Sequence, residues 1–162
     1  MYLDVGNPFP FPDATFDFVF SEHLFEHLTY MQGINMLKES HRIFKPGGVI
    51  RIATPNLEFL VDLYLHPASN NNKDYILFDS KRSGLPPHPV YAINRFHTQW
   101  GHQIIYDQDS LTNLLKGVGF TDIVSCEVGE SRHPDLLYIE NHSKYLGETF
   151  NCLQTMVLEA VR

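Results

Sequence analysis

Residues 16–28 read FDFVFSEHLFEHL, and they predict a strand that runs directly into a helix. The run from Phe16 to Phe20 is aromatic and β-branched, which is typical of a buried strand. It is followed by His23 and His27, four residues apart, with Glu26 immediately before the second histidine. On a helix this spacing places both imidazoles on one face, so the segment has to be weighed as a metal or active site.

The H-x-x-E-H spacing is also that of one class of zinc peptidase. Such a peptidase needs a third ligand from a second helix, whereas the candidates Glu127, Glu130 and Glu140 fall in segments predicted as strand or loop. We therefore predict no metal at His23 and His27. Chance spacing is one alternative interpretation, and a cofactor-pocket role for the first histidine with an active-site role for the second is another.

The residues on either side extend this pattern to strand, helix, strand, helix. Apolar residues at helical spacing predict a helix from about residue 23 to 44, ended by the cation and glycines of KPGG at 45–48. VIRIAT at 49–54 predicts the next strand, and Pro55 occupies the first position of a second predicted helix. Residues 66–106, with an asparagine triplet and several prolines, predict a long loop, which is usually functional or mobile.

The regular pattern resumes after residue 106. Asp107 is a predicted N-cap for a helix that Gly117 and Gly119 close, and residues 121–128 and 153–161 predict two final strands. Strands that alternate with helices indicate an α/β fold with a mainly parallel sheet. A chain of 162 residues is long enough for one domain of this kind.

Composition excludes several classes of partner. With 12 basic and 19 acidic residues the net charge is -7, which argues against nucleic acid as a partner. No apolar run approaches the roughly 18 residues of a membrane span, and no secretion signal is visible at the N-terminus. Cys126 and Cys152 lie in strand-like runs and are predicted to be buried thiols. We expect a cytoplasmic protein without a membrane span.

Two longer stretches carry a family resemblance. PFPFPDATFDFVFSEHLFEHL (8–28) and LKESHRIFKPGGVIRIATPN (37–56) together resemble the class I S-adenosylmethionine-dependent methyltransferases. In that family a Leu-Pro-Phe segment, a Phe-Asp strand and a helix ending in Glu-His-Leu precede an Arg-x-Leu-Lys-Pro-Gly-Gly turn. The resemblance covers residues 4–55 and continues more weakly to residue 120. It implies a Rossmann-like sheet, mainly parallel with an antiparallel C-terminal strand, and S-adenosylmethionine as the cofactor.

The resemblance implies cofactor contacts for five residues. Asp4 and Val5 correspond to the end of the family's third strand, where a carboxylate accepts a hydrogen bond from the adenine amino group. An aspartate that caps a turn is the alternative interpretation of Asp4. Ser21, Glu22 and His23 correspond to the segment that lines the methionine and ribose side of the pocket.

The family's glycine-rich cofactor loop and its ribose-binding acid should come before Asp4, which only three residues precede. We therefore interpret residues 1–162 as a single, incomplete methyltransferase-like domain that lacks the first βαβ unit. Loss of those contacts leads us to expect weak or absent binding of S-adenosylmethionine by this chain alone.

Methyl transfer to a hydroxyl or an amine requires alignment and a base. His27 is one candidate base, and His97 and His102, which flank Trp100, are the others. His97, Trp100 and His102 are also predicted to contact the acceptor, a small molecule or a sugar or lipid precursor. A loop packed by its own aromatic side chains is the alternative for the last three residues.

A second hypothesis is a truncated, non-catalytic methyltransferase-like domain that acts through self-association or a partner. The absence of the first strands would leave an open apolar sheet edge, from which we predict a homo-oligomer.

Overall fold

Four strands form one mixed sheet in the computed structural model, which describes residues 3–162. They are β1 (Phe16–Glu22), β2 (Phe44–Pro55), β3 (Thr121–Cys126) and β4 (Thr155–Val161), in the spatial order β1-β2-β4-β3. β1 pairs with β2 in parallel, and β4 is antiparallel to both β2 and β3. The predicted α/β fold with an antiparallel C-terminal strand is confirmed.

Seven α-helices lie between or beside these strands in the described part of the chain. They are α1 (Tyr30–Ile43), α2 (Leu57–Leu65), α3 (Asn70–Ser83), α4 (Pro89–Thr98), α5 (Gln108–Val118), α6 (Ser143–Leu146) and α7 (Glu148–Gln154). Two single turns of 3-10 helix cover Phe25–His27 and Pro134–Leu136. Across residues 3–162, no helix has both the length and the apolar character that crossing a membrane requires.

The first helix begins later than the sequence pattern predicts. His23 is not helical, and the 3-10 turn at Phe25–His27 is separated from α1 by an extended Leu28. α1 starts after Thr29, whose hydroxyl accepts from the backbone N–H of Gln32, while the side-chain oxygen of Gln32 accepts from the backbone N–H of Thr29. This reciprocal cap satisfies two N–H groups of the first turn and fixes the start of the helix there.

The predicted long loop at residues 66–106 is wrong, because most of it is the helices α3 and α4. Ser69 is the N-cap residue of α3, and α4 begins with Pro89 at its first position after His88. Pro55 ends β2 instead of starting a helix, since Asn56 is the N-cap of α2 and accepts from the N–H of Glu58 at 2.9 Å.

The prediction for α5 is confirmed, with Asp107 as its N-cap and Gly119 in the left-handed region at φ 113° after its last turn. The last predicted strand begins two residues late, because residues 153–154 still belong to α7. Cys126 is half-buried on β3, but Cys152 is exposed on α7, so its predicted burial in a strand is wrong.

β1 is only half-buried, in contrast to the predicted buried strand, because it pairs with β2 alone among the described strands. β2 lies between β1 and β4, and every residue from Gly48 to Pro55 is buried. One face of the sheet packs against α1 and α5 through a cluster that includes Leu37, Ile50 and Leu111.

A second apolar cluster joins α2, α3 and α4 through side chains that include Phe59, Tyr75 and Phe96. These helices come from the segment that follows the carboxyl end of β2, so the sheet positions them around the strand ends where ligands bind in open α/β folds.

No strand is found in residues 3–15, so the predicted strand end at Asp4 is wrong. The Asp4 carboxylate accepts from the backbone N–H of Gly6 and from the side-chain amide of Asn7, both at 2.9 Å. These bonds stabilise a turn, which is the alternative that the sequence left open for this residue.

Candidate functional site

His23 turns the chain at the carboxyl end of β1. Its backbone has φ 46°, in the left-handed region that residues other than glycine rarely adopt. Its N–H donates to the carbonyl of Ala53 on β2 at 2.9 Å, which ties this turn to the neighbouring strand. Strained backbone of this kind is common at functional sites, and His23 lines a cavity here.

The Glu26 carboxylate is completely buried below that imidazole. Its Oε1 lies 3.1 Å from Nδ1 of His23, and its Oε2 accepts from the Thr54 hydroxyl at 3.0 Å. Burial alone would raise the pKa of Glu26, but the hydrogen bond and the charge of His23 outweigh that effect and hold the pKa below its ordinary value. Glu26 therefore remains ionised and orients His23.

Main-chain hydrogen bonds bring His102 to the same place. The carbonyl oxygen of Glu26 accepts from the N–H groups of Gln103 at 2.7 Å and Ile104 at 3.2 Å. The connection between α4 and α5 is thereby fixed against the 3-10 turn, and the rings of His27 and His102 meet edge to face with centroids 4.7 Å apart. Burial is the main cause that lowers the pKa of His102, so this ring is neutral at pH 7.

Residues 141 and 142, about 120 positions further along the chain, form another side of the site. The Glu22 carboxylate accepts from the backbone N–H groups of Asn141 and His142, each at 2.8 Å. The ring of His142 then stacks on His23 with centroids 3.7 Å apart. Burial, followed by the charge of His23, lowers the pKa of His142 to about 4, so His142 is also neutral at pH 7.

These groups line a cavity of about 330 Å³. Its histidine end is formed by His23, Glu26, His27, His102 and His142. The remaining wall is largely aromatic and comes from α3, α4 and α6 with the residues that adjoin them; it includes Tyr75, Phe78, Phe96, Trp100 and Tyr145.

Two arginines add positive charge to that aromatic wall. The Arg82 guanidinium lies over the Phe78 ring at 5.2 Å, and Arg95 is 3.5 Å from the Asp79 carboxylate. Nε of Arg95 is shielded from solvent, and the nearest acceptor to it is that Asp79 carboxylate, which it faces as an ion pair without a well-formed hydrogen bond.

The structure brings four of the predicted site residues together. His23, His27, Trp100 and His102 all line the cavity. The exposed side chain of His97 does not.

The other predicted cofactor residues do not line the cavity. Asp4 is exposed, Val5 packs against the core and Ser21 is buried. The carboxylate of Glu22 is occupied by the backbone N–H groups of residues 141 and 142.

Four residues of the site were not predicted from the sequence: Arg82, Arg95, His142 and Tyr145. The two arginines lie on helices that were predicted as loop, although Pro89 after His88 is a recognisable helix start. The position of His142 depends on a backbone contact with Glu22, 120 residues earlier, which leaves no local sequence signal.

Comparison with known proteins supports the resemblance that the sequence indicates. Residues 3–52 match the family model described as a methyltransferase domain. A search of curated proteins found no significant match.

Solved structures match over almost the whole chain at low identity. An S-adenosylmethionine-dependent methyltransferase from Archaeoglobus fulgidus is 18% identical, with 94% of this chain and 62% of that chain covered and a TM-score of 0.50. A Haloferax volcanii methyltransferase, solved with the Trm112 methyltransferase activator, is 15% identical, with coverages of 98% and 58% and a TM-score of 0.55. N-methyltransferase 2 of Haemonchus contortus, in complex with phosphomonomethylethanolamine and S-adenosylhomocysteine, is 15% identical, with coverages of 98% and 36% and a TM-score of 0.52.

The chain thus spans about three fifths of the length of the first two structures. Two observations indicate the same fold. They are the strand order of the sheet, with its antiparallel last strand, and the methyltransferase-domain match over residues 3–52. Over residues 3–162 the chain has the Rossmann-like fold of the class I S-adenosylmethionine-dependent methyltransferases.

Proposed function

We propose that this chain acts in S-adenosylmethionine-dependent methyl transfer to a small-molecule acceptor, including sugar or lipid precursors. The observation that carries the proposal is the His23–Glu26 pair. Both residues line a cavity beyond the carboxyl ends of β1 and β2. Its volume of about 330 Å³ suits a small molecule. The net charge of -7 and the two free cysteines are consistent with a cytoplasmic enzyme that does not act on nucleic acid.

His23 is the proton acceptor that we propose for the acceptor's hydroxyl or amine. With Nδ1 donating to Glu26, Nε2 carries the lone pair, which faces the Thr155 hydroxyl at 3.5 Å, and takes the proton as the nucleophile becomes bonded to the methyl group. His27, the base predicted from the sequence, lines the same cavity but has no hydrogen-bonded carboxylate among the described residues.

Arg82 and Arg95 favour an acceptor that carries a carboxylate or a phosphate. Both arginines line the cavity among aromatic side chains, together with Asp79, which pairs with Arg95, so an acid group would meet one net positive charge there. Arginine binds such groups through two parallel hydrogen bonds, which also orients them.

The described residues fit S-adenosylmethionine only in part. The carboxylates of Asp4 and Glu22 already accept protein N–H groups, and Ser21 is buried. The bound cofactor would supply an electrophilic methyl group, whereas the residues described here hold the acceptor and take its proton. We therefore expect weak cofactor binding, with a dissociation constant above about 10 µM for this chain alone.

The test is turnover at millimolar S-adenosylmethionine with a panel of small hydroxy- and amino-carboxylates and sugar phosphates. We expect release of S-adenosylhomocysteine that depends on one acceptor, with half-saturation by the cofactor above about 10 µM. His23→Gln should lower kcat by about 100-fold or more, because a positioned base contributes roughly that factor.

His66→Gln, an exposed imidazole at the end of α2, is the matched control and should leave the rate unchanged. The proposal is wrong if no acceptor in the panel raises the release of S-adenosylhomocysteine, or if His23→Gln turns over like the wild type.

A non-catalytic domain that acts through association is the second candidate. It is favoured by the position of β1 at the sheet edge of the described chain and by the Haloferax volcanii relative, which was solved with an activator. A homo-oligomer is the form of association that we propose.

A further inference from the structure

Three side chains with metal-ligating atoms meet at the histidine end of the cavity. Glu26, His27 and His102 each offer one such atom, and these atoms lie within 4.8 Å of one another. We propose that these three residues form a binding site for a divalent transition-metal cation. The reason for expecting no metal from the sequence was the absence of a third ligand, and His102 supplies one from the connection between α4 and α5.

The backbone holds the three residues in this arrangement. Glu26 and His27 are adjacent on the 3-10 turn, and the Glu26 carbonyl binds the N–H groups of Gln103 and Ile104, directly after His102. The relative positions of the ligands are therefore determined by main-chain hydrogen bonds and persist without a metal, which lowers the cost of ordering the site.

The polar groups at this place are incompletely satisfied without a cation. The Glu26 carboxylate is fully buried, and its side-chain partners are one histidine and one hydroxyl, with no lysine or arginine among them. Each oxygen keeps further lone pairs. Nδ1 of His102 is shut off from solvent and has no hydrogen-bond partner in the described chain.

The donor set defines the class of cation. Two imidazoles and one carboxylate suit Zn²⁺, Mn²⁺, Fe²⁺ or Co²⁺ better than Mg²⁺ or Ca²⁺, which prefer oxygen ligands. Bonds of about 2.1 Å bring tetrahedral ligands to roughly 3.4 Å from one another, so ligand atoms that lie within 4.8 Å must approach by at most about 1.4 Å.

The cation would have open positions on the cavity side, because all three ligands line the cavity. An oxygen of the acceptor could bind there beside His23, which remains outside the ligand set as the proton acceptor. This assignment gives His27 a ligand's role in place of the base role predicted from its sequence. It deepens the proposed function, but the binding itself needs neither methyl donor nor acceptor, so it can be tested without turnover.

The test is calorimetric titration of the tag-free chain with Zn²⁺, Mn²⁺ and Co²⁺, together with the visible absorption of the Co²⁺ form. We expect one cation per chain with a dissociation constant of about 10 µM or tighter. His102→Ala and His27→Ala should each weaken binding at least about tenfold and change the Co²⁺ spectrum, because each removes a ligand.

His97→Ala removes an exposed imidazole on α4, outside the cavity, and should bind the cation like the wild type. Circular dichroism checks that each variant is folded, and because the side chains of His27 and His102 are both partly exposed, at least one of the two variants should keep its fold. Binding weaker than about 1 mM for all three cations, or binding that neither His102→Ala nor His27→Ala weakens, overturns the proposal.

Discussion

His142 couples the stability of the fold to pH. Burial, followed by the charge of His23, lowers its pKa from 6.5 to about 4 in the folded chain. The unfolded chain therefore binds a proton at pH values where the folded chain does not. The contribution of His142 to stability is complete above about pH 6.5 and is lost as the pH falls towards 4.

We predict that the free energy of unfolding falls between pH 7.5 and pH 5, and that His142 accounts for up to about 2 kcal/mol of the fall. Urea denaturation at the two pH values measures it. His142→Asn should show a smaller fall than the wild type, whereas His97→Asn should fall as the wild type does. Equal falls in the wild type and His142→Asn would contradict the assignment.

Single residues of the site were predictable where they belong to a local motif. His23 and His27 were recognised by their spacing, and both line the cavity. The roles of His23 and His27 could not be predicted from the sequence. The left-handed backbone of His23 depends on a main-chain bond to Ala53, and the position of His102 beside His27 depends on main-chain bonds to Glu26. Backbone contacts between distant segments leave no pattern in the side chains.

At the scale of elements, the four strands and the helices α1, α2 and α5 were predicted from the sequence, whereas α3 and α4 were predicted as loop. α5 was predicted with its cap because its apolar side chains recur at helical spacing. α3 was missed because it buries only Asn72, Tyr75 and Ile76 and presents polar side chains on most of its surface. When tertiary contacts stabilise a helix through so narrow a face, its sequence shows little hydrophobic periodicity.

Arg51 connects β2, β4 and the segment that follows β3. Its fully buried guanidinium donates to the carboxylates of Glu140 and Glu159, both at 2.6 Å, and to the carbonyl of Glu130 at 2.8 Å. The segment that carries His142 therefore has a second attachment to the sheet, besides Glu22.

We predict that Arg51→Met lowers the free energy of unfolding by about 3–5 kcal/mol, because it leaves two buried carboxylates unpaired. Arg132→Met, which removes an exposed pair with Asp122, is the control and should cost less than about 1 kcal/mol. Chemical denaturation measures both, with Glu140→Gln as the milder variant if Arg51→Met does not fold. Similar losses for Arg51→Met and Arg132→Met, or no loss for Glu140→Gln, would contradict this account.

At the scale of the whole molecule, exposed apolar surface favours self-association. β1 is an edge strand of the described sheet, and α2 exposes Val61, Tyr64 and Leu65 by 50%, 58% and 61%. Contiguous apolar surface of this kind commonly marks an interface.

We predict a dimer or larger species at micromolar concentration, measured by sedimentation velocity. The double variant Val61→Lys/Leu65→Lys should shift the distribution towards monomer, because it places charge in the patch on α2. Leu85→Lys, at an exposed apolar side chain beyond α3, is the control. A wild-type chain that sediments as a monomer at these concentrations would exclude the homo-oligomer.

The hydrogen bonds that the N–H groups of Asn141 and His142 donate to Glu22 join residues about 120 positions apart. Contacts of such long sequence separation carry a large entropic cost of chain closure and form late when a protein folds. The strand–helix unit at the start of the chain can therefore form while the cavity is still absent. We therefore expect ligand recognition to require the closure of these distant contacts, which place the ring of His142 over His23.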